Sequence, residues 1–243
     1  MKIKQADIYR LKDVRKSILA FYLTVFAIYL LMSFLGSLES VHMTQMNGLE
    51  MATVMFLLVT GLTSFKPAFY LFVQNGVSRK TMFYSYLISM VVASGVMALI
   101  DSVAYTLIET EIGMNSLFEQ VYIGIYEDQL LVKILVTFAW ALSAYFAFSI
   151  IGYFIAILYY RMNKTLKIIV SVSVPCLLFI ALPIADTYYN GEITLFIGKS
   201  FDFFFGTGEQ LNPFISVLTC TCISIVLAVL SFGLVKKAVV KRS

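Results

Sequence analysis

The sequence is short of charge: 18 Lys and Arg and 14 Asp and Glu make up only 13% of its 243 residues, against roughly 25% in an average soluble domain. With 60% hydrophobic residues and a mean hydropathy of +0.88, it reads as a polytopic membrane protein. Histidine occurs once, as His42, which excludes a His-pair zinc peptidase and leaves His42 as a surface residue. The three cysteines, Cys176, Cys220 and Cys222, all fall in apolar runs, where a thiol behaves as a small buried hydrophobe. They form neither a disulfide framework nor a zinc spacing. No metal site is expected. The net charge of +4 is not a nucleic-acid footprint, because the basic residues do not cluster on a soluble domain.

What is present is a series of long apolar runs. Ser17 to Leu38 carries no charge over 22 residues, and about 20 suffice to cross the hydrocarbon core. It is too long for the apolar core of a cleavable signal peptide. Spans are expected at about 17–38, 51–73, 82–108, 130–160, 168–185 and 214–235. Lys66-Pro67 interrupts the second, where proline kinks the helix or starts a new one. Pro175 and Pro183 fall in the fifth. In the fourth, Ala139, Ser143 and Ala147 lie four apart, a spacing that lets helices approach closely. Residues 1–16 put Ile3, Ile8, Leu11 and Val14 at helical spacing opposite six basic residues, the pattern of an amphipathic helix lying in the membrane interface. The expected fold is therefore an all-α membrane protein, with an interfacial helix over 1–16 and a six-helix transmembrane domain over 17–243.

Charge sets the orientation. Sixteen of the 18 basic residues lie in the N-terminus, beside the link between spans two and three, in the turn at 161–167, and in the C-terminal tail. Of the 14 acidic residues only Asp7 and Asp13 share that side. By the positive-inside rule both termini are cytoplasmic.

Catalytic motifs fail on inspection. Ile197-Gly198-Lys199-Ser200 resembles the end of a phosphate-binding loop, but the position five before Gly198 is Ile193 and not glycine. Ala93-Ser94-Gly95 lacks the further glycine of a rhomboid-type site. Asn163-Lys164-Thr165 matches a glycosylation sequon on the wrong side. The chain is expected to be a non-catalytic membrane subunit. Asp101 and Lys133 are the ionisable residues expected to be submerged, and a charge at mid-bilayer costs about 2.5–3.5 kcal/mol. Both sit near the external ends of antiparallel spans, so the sequence predicts a structural ion pair.

One short link remains, Gln74-Asn75-Gly76-Val77-Ser78-Arg79-Lys80. Asn and Gly tolerate the positive φ that ends a helix, and Ser78 suits the N-cap of the next. With the six spans and the amphipathic N-terminus, this link resembles the ABC-2-type permease family, in particular the membrane subunits of Gram-positive peptide exporters of the phenol-soluble modulin type. The resemblance implies a bacterial cell-membrane protein that couples ATP hydrolysis on a separate ATPase to export of an amphipathic peptide or hydrophobic small molecule. It implies two copies of the ATPase, which holds ATP and Mg, and a second permease chain, identical or homologous, meeting this one along spans one and five. It makes residues 74–80 part of a coupling helix, with Phe69, Phe72, Asn75, Gly76, Ser78 and Arg79 in contact with the ATPase. An ion-coupled secondary transporter and a non-transporting membrane sensor are the alternatives, separable by whether an ATPase is encoded alongside.

Overall fold

The computed structural model describes residues 2–39, 49–112, 116–126, 129–208 and 210–239, and every regular element among them is helical. His42 and its link, Glu127, Asp128, Lys241 and Arg242 lie outside the described residues. In chain order the elements are α1 (Lys2–Glu39), α2 (Leu49–Gln74), α3 (Arg79–Ile112), α4 (Leu117–Val121) and α5 (Leu130–Arg161). Next come α6 (Lys164–Cys176), a π-helical turn (Leu177–Ala181), α7 (Leu182–Tyr188), α8 (Glu192–Phe205) and α9 (Pro213–Lys236).

Five stretches are long and apolar enough to cross a membrane: Leu49–Gln74, Arg79–Tyr105, Leu130–Arg161, Lys164–Tyr188 and Pro213–Lys236. The protein is thus a multi-pass membrane protein. The run at 17–38 is helical as part of α1.

At the N-terminus, residues 2–16 are continuous with the apolar run that follows, because α1 runs unbroken from Lys2 to Glu39. No glycine or proline occurs between residues 2 and 35 to interrupt it. At 1.5 Å per residue a helix of this length measures about 57 Å.

The bundle is organised around α5, which packs against α2, α3 and α9. α2 and α5 cross in tight backbone contact at Gly61 and Gly152. A Cβ added at Gly61 falls 2.2 Å from the Ser149 carbonyl oxygen, and one added at Gly152 falls 2.2 Å from that of Leu58. Each helix therefore uses the missing side chain of the other. Below this crossing, Phe65, Phe69, Phe83, Tyr86 and Tyr153 form an aromatic core in which Tyr86 stacks on Tyr153 at 3.7 Å between centroids. Above it, Ile18, Leu57, Met97 and Tyr145 form a second cluster.

The fifth apolar stretch behaves differently. Pro183 cannot donate to the carbonyl four residues back, and the helix widens just before it: Leu182 N–H donates to Leu177 O, five residues back. The helix continues through both prolines, and none of its residues from Lys164 to Tyr188 is buried.

Candidate functional site

The link at 74–80 is a rigid turn. Gly76 has φ +65° and closes α2 with two hydrogen bonds, Gly76 N–H to Val73 O at 3.1 Å and Val77 N–H to Phe72 O at 2.8 Å. This is the Schellman arrangement, in which glycine takes the left-handed position. Asn75 adds a side-chain bond to Leu71 O at 2.7 Å. Ser78 Oγ accepts Thr81 N–H at 3.1 Å and so caps α3. Arg79 reaches sideways, its Nη1 donating to Lys236 O at 2.7 Å. That bond occupies one of the carbonyls left open at the C-terminus of α9, where a cation also complements the helix dipole. Nearby, Tyr160 donates its hydroxyl to Val239 O at 3.0 Å. One turn thus fastens α2, α3 and α9 at the basic end of the bundle.

Two corrections follow. No separate helix lies between α2 and α3; α2 runs through Pro67 to Gln74, and only residues 75–78 separate it from α3. Phe69 and Phe72, at 0% and 5% exposed, cannot form a docking surface. They sit in the aromatic core because α2 turns that face toward α5 and α3. Gln74, Asn75, Gly76, Ser78, Arg79 and Lys80 are exposed, and Val77 is half-buried.

Arg10 is a site residue that sequence reasoning missed. It is 5% exposed, and its guanidinium carbon lies 5.4 Å from the Phe72 ring centroid and 5.5 Å from that of Tyr86. A guanidinium over aromatic faces is attracted by their quadrupoles, more so when desolvated. Nothing in the spacing of six basic residues marks one of them as buried.

At the opposite end the predicted ion pair does not form. Asp101, 0% exposed, accepts from the Tyr22 hydroxyl on Oδ1 at 2.7 Å and from the Tyr145 hydroxyl on Oδ2 at 2.5 Å. Lys133 is paired with Glu119. Antiparallel neighbours at similar depth still face different partners when their side chains point to different seams. Asp101 points between α1 and α5, and Lys133 toward α4. Glu50 joins Asp101 in the interior, at 1% exposed, and its Oε2 accepts Leu117 N–H. That bond hangs α4 from the start of α2. Ser116 and Glu119 hold α4 itself in a reciprocal capping box. Tyr122 then donates to Phe205 O at 2.5 Å, tying α4 to the end of α8. Burial pushes its phenol up from the usual tyrosine range, so the donor keeps its proton at neutral pH.

These partners predict a pattern of coupling. Lys133→Met and Glu119→Gln should be less than additive in detergent melting, with an interaction of about 1 kcal/mol for a partly exposed pair. Lys133→Met and Asp101→Asn should add. Strong coupling in the second cycle would restore the pair expected from sequence.

Ile197-Gly198-Lys199-Ser200 lies inside α8, so its backbone amides are already used by the helix. Among the described residues no cluster of His, Cys, Asp and Glu could hold a metal ion. Compared with known proteins, the chain matches no protein-family model, no curated protein and no solved structure.

Proposed function

We propose that this chain is the membrane-spanning permease subunit of an ABC-2-type exporter, driven by a separate ATPase and carrying an amphipathic peptide or hydrophobic small molecule. The observation that carries this reading is the turn at 74–80. It is exposed except at the half-buried Val77, it is stiffened by hydrogen bonds at Asn75, Gly76, Val77, Ser78 and Thr81, and Arg79 locks it to the end of α9. A push on such a turn reaches three helices at once. The docking face is narrower than the resemblance implies: Gln74, Asn75, Gly76, Ser78, Arg79 and Lys80, without the two phenylalanines. A second permease chain fits the apolar surface of Lys164–Tyr188, none of which is buried within this chain.

The test is ATP hydrolysis by a span-free ATPase encoded beside this chain, measured with and without the permease in lipid vesicles. The wild-type chain should change the rate. Gly76→Val should abolish that change, since a β-branched residue resists positive φ, while Lys199→Gln in α8 should leave it intact. An unaltered rate with Gly76→Val would remove the turn from the coupling path.

Orientation is tested separately, with the native cysteines removed. An impermeant thiol reagent applied to intact cells should label Ile123→Cys and Glu192→Cys, but not Ser78→Cys or Asn163→Cys. All four positions are exposed. Labelling at Ser78 from outside would reverse the topology and place the turn beyond the reach of a cytoplasmic ATPase.

A further inference from the structure

The carboxyls of Glu50 and Asp101 are both buried at the end of the bundle opposite the basic turn, within electrostatic reach of each other, and the exporter reading makes no use of them. Asp101 is satisfied, with one phenol donor on each oxygen. Glu50 is not: Oε2 holds the Leu117 amide, while Oε1 is buried without a hydrogen-bond partner. A second orphan lies three residues along the same helix. Thr53 is 0% exposed, and its Oγ1 lies near the Asp101 carboxyl and the Tyr22 phenol without completing a hydrogen bond of normal geometry to either. Residues three apart share a helix face, so the two orphans lie on the same face of α2.

The charged and titratable groups around Glu50 are Asp101 from α3, Glu119 from α4 and Tyr145 from α5, with Tyr22 of α1 reached through Asp101. Glu119 is itself neutralised by Lys133. Among the described residues none of these neighbours brings a positive charge to Glu50. Two anions this close in a dry interior cannot both persist uncompensated.

We propose that Glu50, Thr53 and Asp101 form a proton-binding site, in which Glu50 carries the proton on Oε1 and donates it to Thr53 Oγ1, and Thr53 donates in turn to the Asp101 carboxylate. A hydroxyl can accept and donate at once, so a single proton satisfies both orphan atoms and halves the buried charge. The proton comes from water, and no other bond forms or breaks. The donor set argues against a metal ion. Beyond the bonds already made, the set offers Glu50 Oε1, Thr53 Oγ1 and the second lone pairs of the two Asp101 oxygens, whereas a hard cation takes about six oxygens. Loss of the proton would place a second anion beside Asp101 and strain the Leu117 bond that suspends α4. The folded chain then binds a proton that the unfolded chain releases, so stability should fall as pH rises.

The experiment is infrared spectroscopy of the whole chain in lipid nanodiscs, following the carbonyl stretch of a protonated carboxyl. The wild type should show this band at neutral pH and lose it in alkali, with a parallel drop in melting temperature. Glu50→Gln should abolish the band and flatten the melting profile. Thr53→Val should keep the band and move it to higher frequency, because the acceptor is gone; this arm stands even if Glu50→Gln fails to fold. Absence of the band in the wild type would overturn the proposal, as would its persistence in Glu50→Gln. Displacement of the band by Na⁺ at constant pH would equally overturn it, by making the occupant a metal ion. None of these readouts involves the ATPase, so the site and the exporter reading fail independently.

Discussion

Alanine at Gly61 or at Gly152 should collapse the bundle, although each substitution adds a single methyl group. The added carbon falls 2.2 Å from a backbone carbonyl oxygen in either case. Backbone cannot rotate aside as a side-chain tip can, so α2 and α5 must separate along their length. Overpacking of a close-packed core typically costs about 1–3 kcal/mol and more where the obstacle is rigid. A value of about 3 kcal/mol or more is expected here, enough to prevent recovery of a monodisperse protein. Separating these helices would also misplace Tyr145 and Tyr153, which α5 carries to the two interior clusters. The control is Gly233→Ala in α9, where an added Cβ meets nothing within 4 Å. It should be neutral or slightly stabilising, since alanine favours helix by about 1 kcal/mol over glycine. Size-exclusion elution and melting in detergent read all three. Normal behaviour of Gly152→Ala would mean that the two helices do not cross here.

The second large effect is expected at Arg10. Were the N-terminus a surface helix, neutralising any one of its six basic residues would matter little. Arg10 instead fills the space between α1, the end of α2 and the start of α3, with its guanidinium against Phe72 and Tyr86. Arg10→Ala removes both ring contacts and the packing of the long aliphatic stem, for an expected loss of about 3 kcal/mol. Arg10→Lys should recover only part, because an ammonium cannot stack as a planar guanidinium does. Lys12→Ala and Arg15→Ala, both exposed, should be silent. Equal and small effects at all three positions would detach α1 from the bundle.

Both effects concern contacts invisible to a reading by periodicity. The helices were legible because an apolar run of about 20 residues has few other uses, and the ends at Gly76 and Ser78 because their side-chain chemistry is local. Gly61 and Gly152 are lone glycines in long apolar runs. The more regular small-residue stripe at Ala139, Ser143 and Ala147 attracts notice first, yet Gly61 and Gly152 are where a single added Cβ would strike the facing backbone. Phe69 and Phe72 flank an exposed turn in sequence but point inward, since helical phase and not proximity to a loop decides which way a side chain faces. Asp101 and Lys133 could be placed at similar depth from the sequence, but not in rotation about their helix axes.

By itself, then, the sequence determined the solvent and the material: scarce charge and repeated apolar runs require helices in a bilayer, while the distribution of Lys and Arg predicts an orientation that labelling tests. Tertiary structure alone decided the partners. It continued α1 through residue 17, buried Arg10, gave Asp101 two phenols in place of Lys133, and buried Glu50 at the same end of the bundle. The physical reason is that hydropathy and charge act residue by residue along the chain. Pairing depends on how helices rotate and cross, and here a contact between two glycines some 90 residues apart fixes the α2–α5 crossing.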